Sequence, residues 1–254
     1  MKTRKISTSH FTLTRAQQIM ELSRPWVLLA VYVLLAWQQL WWLAVPVAFA
    51  TCLAAFVQLH DSIHQSLGLT KKSHSLLLTL SALLLLKSGH ALKVTHLRHH
   101  GQCLSEDDPE GEPAKWTLKE VFLNGPYHIF TLRFASLRIA PNTRRLQLLE
   151  TGLTVLLLVG FIALYSMTGS LVGLVYWAVA FVLSALMPLW ASYIPHRMAH
   201  RNPARLAGAQ SAQFWTPIIS SFAFHHLHHT YPKVPTALLA KAARELPEPE
   251  AHQH

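Results

Sequence analysis

Two long stretches of this chain carry almost no charge, and they restrict its fold more than any other feature. Between Pro25 and Thr70 there is no Lys or Arg, and Asp61 is the only acid. From Leu146 to Pro195 the only charged residue is Glu150. Across all 254 residues, 51% are hydrophobic and 13% charged, where a soluble domain carries about a quarter charged. Each block is long enough for two crossings of about twenty residues, so the chain reads as all-α and integral to a membrane.

The net charge of +10 does not indicate nucleic acid as a partner. The basic residues gather at the ends of the apolar blocks, at Arg15, Arg24, Lys71, Lys72, Arg144, Arg145, Arg197 and Arg201, as cytoplasmic flanks do. The turn regions near Pro46 and Gly169 are uncharged. The expected topology is therefore four transmembrane helices in two hairpins, with outward tips and both termini cytoplasmic. Ala48-Phe49-Ala50 imitates a signal cleavage site, but the apolar core before it is too long for a leader, and the segment reads as an anchor.

Along the chain, residues 1–23 form a polar segment. The first span is expected over 25–43, with Trp37, Trp41 and Trp42 at its far interface, and Pro46 opens the return. Ser75 to Leu86 is very apolar but covers only about 18 Å. It reads as an interfacial or re-entrant helix, with Lys87 as its cytoplasmic flank. An acidic polar loop over 101–120, a basic amphipathic segment over 127–145 and a second hairpin turning at Gly169 follow. Residues 204–224 look interfacial, and 241–254 read as a disordered tail of one domain spanning 1–254. Cys52 and Cys103 are expected to stay unpaired.

Ten of the 17 histidines fall into four groups: His60 and His64; His96, His99 and His100; His196 and His200; His225, His228 and His229. Helical positions i, i+3 and i+4 share a face, so each group presents two or three imidazoles to one side, and His226 falls off that face. With four crossings all groups arrive at the cytoplasmic exits. Ten neutral nitrogen donors exceed the needs of one zinc and suit two transition-metal ions with positions left open for oxygen. His10, His74, His90, His128, His252 and His254 read as polar surface.

His60-Asp61-x-x-His64-Gln65, His96-x-x-His99-His100 and His225-x-x-His228-His229 resemble the three histidine boxes of the membrane fatty acid desaturase superfamily, over about Arg24 to Pro235. The resemblance implies two non-haem Fe ions held by these boxes, with His200 as an additional ligand and His196 one turn earlier. It implies O2 as co-substrate and a lipid acyl chain as substrate, desaturated or hydroxylated. Tyr193-Ile194-Pro195-His196-Arg197 and Asp107-Asp108-Pro109 look more like bacterial beta-carotene ketolases. A carotenoid substrate is accordingly the alternative, and a bacterial inner membrane the expected location.

Asp61 is read either as a hydrogen-bond acceptor that orients a ligand imidazole or as a solvated helix-exit acid. Phe56, Phe161 and Trp190 either line a substrate tunnel or pack helices together. Arg133, Arg138, Arg144 and Arg145 either hold an anionic partner or anchor to anionic lipid. The chain has no dinucleotide-binding glycine fingerprint and no cysteine set for an iron–sulfur cluster, so an external ferredoxin-like electron donor is expected.

Overall fold

The computed structural model describes residues 8–198 and 216–246, which form helices and connecting turns without a strand. Helix α1 spans Arg15–Trp37, α2 Trp41–His64, α3 Lys71–Leu84 and α4 Gly89–Gln102. Then come α5 Leu118–Ile139, α6 Arg144–Thr168, α7 Val172–Ala185, α8 Ile194–Met198, α9 Thr216–Ala223, α10 His225–Thr230 and α11 Leu239–Glu245.

Local chemistry sets most of the helix starts. The Thr14 hydroxyl accepts from Gln17 N–H at 3.3 Å while Thr14 N–H donates to Gln17 Oε1 at 2.9 Å, a reciprocal cap. Thr117 and Glu120 repeat this at α5, and Thr70 and Ser88 cap α3 and α4. Gly169, at φ +70°, closes α6 in the left-handed region that a residue without Cβ enters freely.

The expected second hairpin is present, but the first turns earlier than expected. Its break lies at Gln38–Leu40, with Gln39 at φ +58°, and Pro46 lies inside α2. Proline tolerates a position near a helix start, and neighbouring helices can cover the backbone group it leaves free. Likewise α1 begins at Arg15, inside the polar N-terminal segment and ahead of the expected start of the first span at 25. Arg24 does not flank this helix; it is buried within it, forked onto the Glu21 carboxylate. The side-chain amide of Gln58 on α2 donates to the Glu21 and Leu22 carbonyls.

Helix α2 is central, with Ala44, Ala48, Cys52, Ala55 and Leu59 buried along one face against α1, α3 and α7. Small residues at this spacing let helix backbones approach closely. Helix α6 is arranged inside out. Its buried residues are Gln147 and Glu150, while Leu148, Leu149, Val155, Leu156 and Val159 are exposed. A polar inner face with an apolar outer face fits lipid surroundings. Among the described residues, three helices are long and apolar enough to cross a membrane: α1, α2 and the one ending at Thr168. The number rises to five if the two bent pairs count, α3 with α4 (105°) and α7 with its continuation to Arg197 (42°).

Two further expectations change. Helix α11 occupies the first residues of the segment read as a disordered tail, and Ala242 and Leu246 are buried against Phe11, Phe224 and Leu227. His74, His90 and His128 are buried rather than surface-lying. His90 is paired through Nδ1 with Glu150 Oε1 at 2.7 Å, and His128 meets the Trp116 ring edge-on. His10 is exposed as expected, and His252 and His254 lie outside the described residues.

Candidate metal centre

Four chain segments that are remote in sequence bring their histidines to one place. The last turn of α2 supplies His60 and His64, and the C-terminal half of α4 supplies His96, His99 and His100. A π-helical stretch, Pro188–Tyr193, bends the end of α7 and leads into α8 with His196. Pro188 lacks the N–H that would continue the α-helical ladder; the Trp190 indole N–H donates to the Leu183 carbonyl at 3.0 Å within the same bend. Helix α10 supplies His225, His228 and His229.

The Nε2 atoms gather in two groups. His60, His64, His96 and His228 converge in one, and His100 joins it at 3.0 Å from His228 and 3.2 Å from His96. His99, His196 and His229 converge in the other together with the Cys103 sulfur. His225 joins there at 3.2 Å from His196 and 3.0 Å from His229. The His100 and His229 rings stack at 4.3 Å, linking the groups. Nine of the ten sequence-predicted histidines are therefore brought together, while His200 lies outside the described residues. His226 belongs to neither group.

The donor chemistry fits metal. His96 Nδ1 sits 2.8 Å from Glu110 Oε1, and His99 Nδ1 sits 2.7 Å from Asp108 Oδ2. A carboxylate on Nδ1 holds the proton there and leaves the Nε2 lone pair facing inward. Neighbouring Nε2 atoms approach to 2.9–3.2 Å, and within each converging set of four the donor atoms lie within 4.8 Å of one another. Metal–nitrogen bonds of about 2.1 Å at right angles would set ligands about 3 Å apart. Burial, reinforced by the neighbouring imidazoles, holds His225, His228 and His229 well below the ordinary histidine value, so these are neutral donors. Burial and the Asp108 charge push the Cys103 thiol up to about 11.

The acidic loop is not simply solvated. Asp108 and Glu110 are buried. Asp108 also accepts from the N–H groups of Leu104, Glu110 and Gly111. Burial raises its carboxyl, and His99 with the Gly111 and Leu104 N–H donors outweighs that and holds it below the usual range. Burial raises Glu110 and the Asp108 charge adds to this, while the His99 charge opposes it. Neither acid was singled out from sequence as a partner of the histidines; their only signal was the Asp107-Asp108-Pro109 motif. Asp61, buried, accepts from Thr236 N–H at 3.1 Å and from the Thr236 hydroxyl. That hydroxyl lies 3.5 Å from His60 Nδ1, as does Asp61 Oδ1.

Of the aromatic residues weighed for a tunnel, Phe56 and Trp190 line an apolar cavity beside the centre. Phe161 instead packs on Gly173, where any Cβ would fall 2.4 Å from its ring. Of the four arginines, Arg133 is taken up by Gln147, donating to its side chain at 3.0 Å and its carbonyl at 2.9 Å. Arg138, Arg144 and Arg145 are exposed. Cys52 and Cys103 are free thiols.

A family model described as fatty acid desaturase matches residues 40–254. No curated protein and no solved structure matches the chain.

Proposed function

Since the chain belongs to the fatty acid desaturase family, whose members are lipid-oxidising membrane proteins that typically use iron, we propose that it is a di-iron, O2-dependent oxidoreductase that desaturates or hydroxylates a lipid acyl chain. The observation that carries this reading is the pair of inward-facing histidine groups backed by buried carboxylates.

His60, His64, His96, His100 and His228 hold one iron. His99, His196, His225 and His229 hold the other, with His200 as a further ligand. Asp108 and Glu110 fix Nδ1–H of His99 and His96, and Asp61 steadies His60 through the Thr236 hydroxyl. When bound, the iron pair supplies oxygen activation and the oxidation of an unactivated C–H bond. The protein's share is placement: apolar walls bring one carbon of the chain to the centre and keep water away. Electrons come from an external ferredoxin-like donor.

Four crossings, α1, α2, α6 and α7 with its continuation, accompany this reading. Helix α3, at 14 residues, covers about 21 Å, short of a hydrocarbon core of about 30 Å, and the 105° bend supports reading α3 and α4 as a re-entrant pair. The basic flanks support a cytoplasmic face for the histidines and both termini, and a bacterial inner membrane is the proposed setting.

Mass spectrometry of total lipids from a bacterial host expressing the chain tests the reading, against a His228→Ala, His229→Ala control. Acyl chains lighter by two hydrogens or heavier by one oxygen are expected. Keto-carotenoids with unchanged acyl chains, in a host that makes carotenoids, would transfer the assignment to carotenoid ketolation. No change in either from iron-loaded protein with a working donor would overturn the substrate.

A further inference from the structure

A small apolar pocket lies between α2, the α3–α4 bend and α7, with Leu53, Phe56, Leu92, Leu183, Met187 and Trp190 among its walls. A second small pocket shares Phe56, Leu92 and Met187 with it and is lined also by His60 and His96. The shared walls set the two pockets side by side between the bend and the histidines. One charged side chain lines the first cavity: Lys87, expected from sequence to lie at a cytoplasmic flank. Its Nζ has the Met187 thioether sulfur, at 3.2 Å, as its hydrogen-bond partner among the described residues. Ser184 lines the same cavity, and its hydroxyl makes no hydrogen bond among the described residues.

A thioether is a weak acceptor, and an ammonium has three donors. A polar group set into apolar surroundings without a strong partner is costly, and an ionisable residue in such a place marks a functional site. The nearby acid, Glu110, lines the second pocket; its Oε1 is engaged by His96, and its Oε2 has no hydrogen-bond partner among the described residues. A plain hydrocarbon filling the cavity would leave the Lys87 donors unmet, whereas a chain bearing an oxygen acceptor would satisfy them.

The geometry points to Lys87 as a specificity-determining residue: its ammonium, with the Ser184 hydroxyl in the same cavity, takes an oxygen function of the substrate while the apolar remainder runs toward His60 and His96. This rests on the site above oxidising a long apolar chain. The shared ligand chemistry is an oxygen acceptor on that chain, supplied by a carboxylate or by a neutral hydroxyl or carbonyl.

The test is equilibrium binding of hexadecanoate, 1-hexadecanol and hexadecane to the iron-loaded full chain in lipid nanodiscs. Oxygen is excluded so that no turnover occurs, and empty nanodiscs give the background. The wild type is expected to retain at least one oxygenated chain about tenfold more tightly than hexadecane, the scale of one charge-assisted hydrogen bond. Lys87→Met, at unchanged iron content and unchanged hexadecane binding, is expected to abolish the preference. Lys87→Gln keeps a neutral donor. Retained hexadecanol binding in this variant identifies a neutral oxygen as the ligand, and loss confined to hexadecanoate identifies a carboxylate. Equal binding of all three probes by the wild type, or an unchanged preference in Lys87→Met, would overturn the assignment. Because no turnover is involved, a failed search for oxidised lipids leaves this result intact, and the converse holds.

Discussion

His99 Nδ1 lies 2.7 Å from Asp108 Oδ2, and both side chains are buried. The same carboxylate is anchored by three backbone N–H groups, so the imidazole is held against a fixed point. Replacing Asp108 by Ala removes the acceptor that fixes the His99 tautomer. Metal affinity at the second histidine group is expected to fall about 10- to 100-fold. Iron per chain, measured by plasma mass spectrometry after dialysis, reports this directly; full retention would remove Asp108 from the site.

Gly111 guards that carboxylate. A Cβ there would stand 2.1 Å from Asp108 Oδ2, so the loop or the carboxylate must shift. Gly111→Ala is expected to cost about 1–3 kcal/mol and to lower iron content in the manner of Asp108→Ala. A melting temperature and iron content equal to wild type would contradict it. Gly101→Ala is the control, since nothing lies within 4 Å of its added Cβ.

Acid should release the metal and weaken the metal-free fold. His225, His228 and His229 are held well below 6.5, so the unfolded chain takes up protons that the folded chain refuses. Stability is then full above about pH 6.5 and declines as pH falls below it, by up to about 1.4 kcal/mol per pH unit for each such histidine. Thermal unfolding of metal-free protein at pH 8.0, 6.5 and 5.0 measures this; a flat profile would count against neutral buried imidazoles.

Glu150 ties the lipid-facing α6 to the helix bend that aims α4. Its carboxylate accepts from Thr79 at 2.6 Å, Ser88 at 2.7 Å, His90 N–H at 3.0 Å and His90 Nδ1 at 2.7 Å. Glu150→Leu leaves these donors buried without a partner and is expected to destabilise by about 2–3 kcal/mol. Thermal unfolding in detergent would show it, and an unchanged melting temperature would mean that water replaces the carboxylate.

The apolar blocks and the shared faces of the histidines were legible before the structure because both depend on neighbours in the chain. The spacing of His96, His99 and His100 commits their side chains to one side of any helix they form. The uncharged blocks likewise imply membrane helices whatever they pack against. Less was legible at boundaries. The turn at Gln38–Leu40 carries no proline or glycine, and Pro46, which looked like the turn, is absorbed by a helix supported on several sides.

What the amino-acid order determined by itself is therefore the periodic part: apolar lengths, caps such as Thr14 and Thr117, and the imidazole stripes. Tertiary structure alone decided which polar side chains would be enclosed. Asp108 and Glu110 sit in a stretch as acidic as any solvated loop, Lys87 looks like an ordinary flank, and His90 like a surface histidine. Their burial comes from segments meeting across long sequence separations, as His90 meets Glu150 60 residues away and Thr236 reaches Asp61 175 residues back. Such contacts leave no periodic trace, because the free energy that fixes them is the cost of leaving a polar group unpaired after the helices have packed.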